Sequence, residues 1–401
     1  MESLRELYRI GKGPSSSHTM GPYRAAQAFA DANPHAEMFE VYLYGSLAKT
    51  GKGHLTDKAI EEGFGGKKVK IYFDRETVDL PHPNTMDFIA YQDKQEASRW
   101  RVISVGGGKI QIEGKNDAVN PHVYHLDSFT EIRRYCEERH WQLWQYAEEE
   151  EGPELWPFLH KVWDQMKNTV YEGLEAEGEL PGSLHVHRKA KYLYTQRHMD
   201  ESANTKYNRI VCSYAFAASE QNACGGIVVT APTCGSCGVM PAVLLYSQNK
   251  MGFSDQEMAR ALATGGIMGN LIKTNASISG AECGCQAEIG SACSMASAAL
   301  AQLYEMDLDQ IEYAAELAME HHLGLTCDPI DGLVQIPCIE RNAVAAMRAL
   351  DSLSLANFLT HTRKISFDMV VRTMYETGKD LFSKYKETSE GGLAKSYRDR
   401  Q

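Results

Sequence analysis

The 401-residue sequence has no run of eighteen apolar residues, and its first residues lack a basic stretch followed by an apolar one. The first absence argues against a transmembrane helix, and the second argues against a secretory signal peptide. The sequence also has no excess of positive charge, because 53 acidic residues outweigh 41 basic residues for a formal net charge of −12. That balance is unsuited to nucleic acid or an anionic membrane. We therefore expect a cytoplasmic protein with no nucleic-acid or membrane partner.

Signals for two common cofactor classes are also missing. The glycine-rich segments 51–53 and 106–108 lack the spacing of a P-loop or of a dinucleotide fingerprint. No lysine lies in a motif typical of a pyridoxal phosphate anchor. We therefore expect neither a bound nucleotide nor pyridoxal phosphate.

Cysteine is scarce in the first half, which contains only Cys136, and abundant in the second, where nine cysteines lie between Cys212 and Cys338. In a reducing compartment such a group of thiols more often indicates metal binding or catalysis than disulfides. Cys285, Cys327 and Cys338 each lie beside turn-forming residues or a predicted helix end. A thiolate at such a position is accessible and electrostatically tunable, as a metal ligand must be.

The cysteine spacing alone leaves other assignments open. Cys234-x-x-Cys237 together with Cys283-x-Cys285 could supply four zinc ligands. Packing is the simplest role for the remaining cysteines of the second half, because free cysteine is a common buried residue. These remaining cysteines are Cys212, Cys224 and Cys293.

The first hundred residues or so are predicted to mix strands and helices. Segments rich in β-branched and aromatic residues predict strands, and a glycine triplet between two of them predicts a hairpin. An alanine-rich segment predicts a helix before the first of these strands. The predicted strands are residues 39–44, 69–73, 101–105 and 109–112, and the predicted helix is 21–32.

From about residue 128 the pattern becomes helical, with segments rich in small residues that allow helices to pack closely. We therefore predict an α/β (α+β) N-terminal domain followed by a larger, mainly α-helical C-terminal domain. The predicted divisions are residues 1–128 for the α/β domain, 129–180 for a helical connecting segment and 181–401 for the helical domain that carries the cysteines.

Three histidines provide a second group of candidate functional residues. His18, His54 and His82 each lie in a segment rich in glycine, proline or serine rather than on an apolar helix face. Loops of this kind, held by a rigid scaffold, often carry binding and catalytic groups. Any one of these histidines taken alone is more simply an exposed polar residue.

Taken together, these segments resemble the iron–sulfur L-serine dehydratases over all but roughly residues 115–190. Motifs of this length are more specific than a lone glycine pattern. In the family's small beta domain the matching segments are 13–19 (GPSSSHT), 44–47 (YGSL), 50–54 (TGKGH), 82–86 (HPNTM) and 104–108 (SVGGG). In the larger alpha domain they are 229–233 (VTAPT), 275–282 (NASISGAE), 320–329 (EHHLGLTCDP), 337–342 (PCIERN) and 385–394 (YKETSEGGLA).

The resemblance implies a lyase that converts L-serine to pyruvate and ammonia, in amino-acid catabolism or gluconeogenesis. It implies a [4Fe–4S] cluster held by Cys285, Cys327 and Cys338, without pyridoxal phosphate, in a homodimer of chains with fused beta and alpha domains. Single-chain members often end in a cysteine that reaches the fourth iron. Residues 397–401 (YRDRQ) contain none, so the ligand of the fourth iron stays open.

The resemblance also implies roles for individual residues. His18 and His54 form an acid/base pair, and His82 is a third catalytic candidate that, with Asn84, positions the substrate or orients a histidine. An imidazole suits removal of the α-proton because its pKa lies near neutral pH. The expected site lies between the domains, where ligand pockets are common. The further substrate-binding candidates are Ser16, Ser17, Thr19, Ser46, Asn275 and Ser277.

Two rival functions fit the same residues. One is a cluster-dependent hydro-lyase that acts on a hydroxy acid. The other is a non-catalytic protein that binds zinc or senses a ligand, using the N-terminal domain as a serine receptor. A brown colour would argue against the second rival, and the substrate preference would decide the first.

Overall fold

The computed structural model describes residues 1–115, 122–196 and 201–400. Its N-terminal part is built around a five-stranded mixed sheet in the order β3-β2-β4-β5-β6, in which only the β2–β3 pair is parallel. A short strand near the start, β1, pairs with β7 from the second half of the chain. The strands are β1 Ile10–Lys12, β2 Met38–Leu43, β3 Val69–Phe73, β4 Thr85–Gln92, β5 Gln95–Gly106, β6 Lys109–Ile112 and β7 Ile227–Val229.

One face of this sheet is covered by helices. Residues of β2 alternate between partly exposed and buried, so that Phe39, Val41 and Leu43 point into the core. Phe29 from the covering helix packs against Phe88 of β4, with ring centroids 5.6 Å apart. The helices of this part are α1 Gly21–Ala32, α2 Gly45–Thr50 and α3 Thr56–Gly63. The alanines of α1 allow it to lie close to the sheet.

Truncating the central ring of this core should weaken the N-terminal part strongly. Phe88 is fully buried between Phe29 and Phe64. We expect Phe88→Ala to lower the free energy of unfolding by about 3–5 kcal/mol, because it leaves a cavity in a packed core. Urea unfolding followed by circular dichroism measures this loss. Val78→Ala is the control, since Val78 is 90% exposed, and an equal loss in both variants would contradict the prediction.

The second part of the chain is a bundle of helices around one large hydrophobic core. Its centre is the pair α10 and α12, whose backbones approach so closely that a Cβ on Gly265 would lie 2.6 Å from the carbonyl oxygen of Met295. No helix among the described residues has the length and hydropathy needed to cross a membrane. The helices are α4 Phe129–Arg139, α5 Leu143–Glu151, α6 Leu155–Glu175, α7 Ala190–Thr195, α8 Ala203–Ala223, α9 Val239–Met251, α10 Asp255–Asn275, α11 Gly280–Cys283, α12 Ile289–Leu303, α13 Leu308–Glu320, α14 Cys338–Leu359, α15 Phe367–Asp380 and α16 Gly392–Arg398.

The predicted fold class is confirmed, with a mixed sheet and helices first and a larger helical part after it. The hairpin around the glycine triplet is also present, and all three glycines have positive φ. Helices α4 to α6 share the large core with the helices that follow them. The domain divisions at residues 128 and 180 stay a prediction.

The N-terminal segment links the two parts. Thr230, next to β7, donates a hydrogen bond to the carbonyl oxygen of Leu7 and accepts one from the backbone N–H of Arg9. The carboxylate of Glu2 pairs with Lys109 of β6 at 2.5 Å and with Lys273 of α10 at 2.7 Å. The N-terminal segment is therefore joined to the bundle by strand pairing, and its Glu2 carboxylate links the five-stranded sheet to the bundle.

This carboxylate predicts a pH-dependent contribution to stability. Burial opposes ionisation of Glu2, but the hydrogen bonds from Lys109 and Lys273 outweigh it and lower the pKa of Glu2 to about 2. A carboxyl group with a lowered pKa stabilises the fold above its ordinary pKa and loses this effect as the pH falls toward the lowered value. We expect Glu2→Gln to cost roughly 1–2 kcal/mol at pH 7, where the ion pairs are partly screened, and clearly less at pH 3.

Urea unfolding at the two pH values measures the difference. The matched control is Glu61→Gln, which changes an exposed carboxylate of α3. A loss for Glu2→Gln that is the same at pH 3 as at pH 7 would show that the ion pairs do not stabilise the fold.

Candidate active site

Three cysteines meet at a small cavity between the two parts of the chain. Cys285 follows Gly284, whose φ of +76° turns the backbone after α11. Cys327 lies in an extended segment bridged to Lys386, and Cys338 is the first residue of α14. The cavity is lined by Pro14, Ser15, His54, Gly235, Cys285, Glu288, Ile289, Cys327, Pro329, Val334, Cys338 and Glu387.

The thiols at this cavity differ in acidity. A hydrogen bond from the Cys327 thiol, aided by the positive charge of Arg341, lowers the pKa of Cys285 to about 6 despite burial. The same hydrogen bond and burial raise the pKa of Cys327 well above its usual range. Burial also raises the pKa of Cys338. Metal binding here would therefore release the protons of at least two thiols.

The donor set fits the cluster that the resemblance implies. Within the described ranges, no three or more side chains of His, Cys, Asp or Glu are arranged to hold a single metal ion. A cubane makes a different demand, because it is held by thiolates placed around it. Two buried cysteines, Cys285 and Cys327, and the partly buried Cys338 line one cavity here, and a carboxylate oxygen of Glu387 in its wall is buried without a hydrogen-bond partner.

The cysteines of the alternative zinc site do not meet as one group of four among the described residues, although Cys234 and Cys237 share a small hydrophobic cluster. Cys234 contacts the sulfur of Met20 at 3.8 Å, and Cys237 faces the carbonyl oxygen of Ala218 at 3.8 Å. Cys283 packs against Gly378 of α15. Of the four cysteines in that alternative, Cys285 is the one that lines the cavity.

Two histidines lie together at this cavity, and one of them, His54, lines it. The rings of His18 and His54 are stacked at a tilt with centroids 4.5 Å apart, and both are almost completely buried. One carboxylate oxygen of Glu387, Oε1, lies 3.5 Å from His18 Nδ1 and 3.6 Å from His54 Nε2. Burial lowers the pKa of His54 to about 4 and that of His18 well below its usual range. Both imidazoles are therefore neutral at neutral pH.

Hydrogen bonds distinguish the two rings. His54 Nδ1 lies 3.0 Å from the carbonyl oxygen of Thr50, which can only accept, so Nδ1 carries the proton and Nε2 has a free lone pair. Ser46 Oγ donates to the carbonyl oxygen of Glu387, so it accepts from His18 Nε2. His18 Nδ1 is then left as the acceptor for the hydroxyl of Ser17 at 2.9 Å. Of the pair, His54 alone has an unprotonated nitrogen that accepts no hydrogen bond, because the lone pair of His18 Nδ1 is taken by Ser17.

The serine-rich loop supports the histidines. Residues Ser16–Met20 form a π-helical turn before α1, and its cap, Ser15, accepts a hydrogen bond from the backbone N–H of His18. Thr19 donates to the carbonyl oxygen of His54 at 2.7 Å. Ser16 is buried in the same turn. Of the hydroxyl residues in this loop, Ser15 is the one that lines the cavity.

The other predicted site residues lie outside the cavity lining. Asn84 donates through its backbone N–H to His82 Nδ1 and through its side chain to the carbonyl oxygen of Ser104, and its own Oδ1 is buried without a partner. The amide of Asn275 donates to the backbone of Asp127 and Leu271.

Ser277 does not line the cavity of the three cysteines. Its hydroxyl donates to Glu282, and it lines a second cavity between the β5–β6 turn and the end of α10.

Three charged residues at the site were not singled out from the sequence. Burial, and then the neighbouring charge of Cys285, raises the pKa of Glu288 to about 8. Burial and the charges of Glu288 and Cys285 raise the pKa of Glu387 well above its usual range. Arg341 lies one turn after Cys338 and donates to the carbonyl oxygen of Thr326. Glu387 and Arg341 each lie within one of the motifs that carry the family resemblance, and this position was the only indication of them in the sequence.

Comparison with known protein families matches both parts of the chain. Residues 3–72 match the family model described as serine dehydratase beta chain, and residues 89–394 match serine dehydratase alpha chain. The chain belongs to the serine dehydratase family. The alpha-chain match begins within β4, so strands β5 and β6 fall in that match although they complete the N-terminal sheet.

Members of this family from several bacteria are similar to the chain over nearly its whole length. L-serine dehydratase 1 of Escherichia coli (strain K12) is 40% identical, with 98% of this chain and 99% of the relative covered. L-serine dehydratase of Streptomyces coelicolor is 39% identical, with 98% of each covered. L-serine dehydratase of Helicobacter pylori (strain J99) is 38% identical, again with 98% of each covered.

Proposed function

We propose that the chain is an L-serine dehydratase that releases pyruvate and ammonia with the help of a [4Fe–4S] cluster and without pyridoxal phosphate. The observation that carries this proposal is that three thiols and an imidazole with a free nitrogen meet at one buried cavity. The names of the relatives support the substrate.

Cys285, Cys327 and Cys338 are the residues proposed to hold the cluster. When bound, such a cluster supplies a Lewis acid for the hydroxyl of the substrate, since three thiolates leave one iron without a cysteine ligand. Part of the cavity wall is apolar, because Pro14, Ile289, Pro329 and Val334 line it beside the polar groups, and such a wall would limit the entry of water. A dry site strengthens every electrostatic contact within it.

His54 is proposed as the base that removes the α-proton. Its Nδ1–H donates to the backbone at Thr50, which fixes the ring, and its Nε2 is free to accept a proton. Because its pKa is lowered, the ring is unprotonated at neutral pH, as a base must be. His18 holds Ser46, and through it the backbone of Glu387, so it is proposed as a positioning residue.

Substrate-binding roles for the other predicted residues remain part of the proposal. Four hydroxyl residues lie around the two histidines: Ser16, Ser17, Thr19 and Ser46. They would act on the substrate by fixing the position of the imidazole rings or by contacting the substrate carboxylate directly. Asn84 is hydrogen-bonded to both His82 and Ser104, and its unpartnered Oδ1 is available to a ligand group. Asn275 and Ser277 are bonded elsewhere and would have to reorient.

Assembly and physiological role also belong to the proposal. We expect a homodimer that acts in serine catabolism or in gluconeogenesis from serine. Light scattering of the purified protein tests the first expectation.

Anaerobic purification followed by iron, sulfide and zinc analysis tests the proposed function together with pyruvate release. We expect a brown protein with about four irons and four sulfides per chain, active on L-serine in preference to D-serine or L-threonine. A colourless protein with stoichiometric zinc and no pyruvate release would support the binding-protein rival. A protein that contains the cluster and turns over a hydroxy acid but not L-serine would support the rival function of a hydro-lyase acting on a hydroxy acid.

A further inference from the structure

One carboxylate oxygen in the cavity wall, Oε2 of Glu387, takes no part in the proposed cluster binding or in the contacts with the two histidines. Glu387 is 5% exposed, and its Oε1 faces the two histidines. Its Oε2 is buried and has no hydrogen-bond partner. Leaving a buried carboxylate oxygen unpaired is costly unless something else binds it.

The backbone fixes Glu387 directly against one of the proposed cluster ligands. The N–H of Glu387 donates to the carbonyl oxygen of Cys327 at 2.7 Å, and the N–H of Cys327 donates to the carbonyl oxygen of Tyr385 at 2.8 Å. Glu387 has a φ of +55°, a strained conformation for a residue with a side chain. Ser46 holds its carbonyl oxygen from the other side. Strain held by surrounding structure is a common feature of functional sites.

The other donors near the cavity are already engaged. Cys234, Cys237 and Cys283 do not line it. Cys234 contacts Met20 of the N-terminal part, Cys237 faces the carbonyl oxygen of Ala218, and Cys283 packs against Gly378. The second carboxylate, Glu288, accepts a hydrogen bond from Thr233 through Oε1, and its Oε2 lies 4.0 Å from the sulfur of Cys327. Among the described residues that line the cavity, Oε2 of Glu387 is the carboxylate oxygen that has no hydrogen-bond partner.

We propose that, in the absence of substrate, Glu387 binds through Oε2 the iron of the cluster that has no cysteine ligand. This inference rests on the proposed function, because it requires the cluster. Carboxylate oxygen is an established ligand of iron in proteins, and ligating carboxylates are commonly held by neighbouring groups. Here the backbone of Glu387 is held by Cys327 and Ser46, while His18 Nδ1 and His54 Nε2 lie 3.5 and 3.6 Å from Oε1 without donating to it. When substrate arrives, its hydroxyl exchanges with the carboxylate, with no change of oxidation state.

Magnetic spectroscopy of the anaerobic protein tests the ligand directly. The wild type, Glu387→Ala and Glu288→Gln are reconstituted with iron and sulfide, reduced, and exchanged into water enriched in ¹⁷O without substrate. We expect no ¹⁷O coupling to the cluster of the wild type, because the carboxylate excludes water from the fourth iron. Glu387→Ala should show a clear ¹⁷O coupling from bound water, and Glu288→Gln should resemble the wild type.

The possible outcomes separate this inference from the proposed function. Wild-type protein without iron and sulfide after reconstitution would refute both. A normal cluster whose wild type already shows ¹⁷O coupling would refute the carboxylate ligand alone. A coupling that appears in Glu288→Gln and not in Glu387→Ala would assign the position to Glu288 and overturn the inference. Glu387→Gln, closest in shape, is the second variant if Glu387→Ala does not fold.

Discussion

Cys327→Ser is expected to remove the cluster and nearly all activity. The thiol of Cys327 shares a hydrogen bond with Cys285 and lies in the wall of the cavity, so its loss takes away one of three proposed iron ligands. Replacing a group that only supports a metal ligand typically lowers metal affinity or activity about 10–100-fold. Replacing a ligand itself should therefore lower kcat by more than about 100-fold. Iron and sulfide content, visible absorbance and pyruvate release measure the effect.

Cys237→Ser is the matched control for this variant. Cys237 is also a buried thiol of the second half, but it packs with Met20 and Val228 and faces the carbonyl oxygen of Ala218. The control should keep its iron and most of its activity. Cluster content that survives in Cys327→Ser and disappears in Cys237→Ser would contradict the proposed ligand set and favour a thiol site that includes Cys237.

Local structure at the site could be predicted where the sequence carries a local signal. The glycine triplet 106–108 between two strand-like segments predicted the β5–β6 hairpin, in which all three glycines have positive φ, and the strand composition of residues 69–73 matches β3. The start of a helix at Cys338 was also indicated by its proline and polar neighbours, and α14 begins there. In contrast, β4 was not predicted, because it is buried on both faces over six residues and shows no alternation.

The chemistry of the site depends on contacts that no local signal contains. Glu387 meets His18 and His54 across more than 300 positions of sequence, so no spacing could indicate that group. The distinction between the two histidines likewise depends on one backbone carbonyl, that of Thr50, and on the direction of the Ser46 hydroxyl. From the sequence, the pair could be named but its members could not be told apart.

His54→Gln is expected to lower kcat by about 10²–10⁴-fold, the usual contribution of a general base. Glutamine keeps a side chain of similar size and can still donate to the carbonyl oxygen of Thr50, so the variant removes the basic nitrogen while disturbing the packing little. Because His54 also lines the cavity, iron and sulfide content must be measured beside the rate. We expect the cluster to remain. The kinetic isotope effect on kcat, measured with L-serine deuterated at the α-carbon, should be larger in the variant than in the wild type, because proton removal becomes slower relative to the other steps.

His18→Gln is the comparison that decides between the two rings. The lone pair of His18 Nδ1 is taken by Ser17 and its Nε2–H is taken by Ser46, so this ring has no nitrogen free for the substrate. Its replacement should loosen the position of Glu387 and reduce kcat less than His54→Gln does, without increasing the isotope effect. If His18→Gln gave the larger loss and the larger isotope effect, His18 would be the base, and the tautomers deduced from the bonds to Thr50 and Ser46 would have to be reversed.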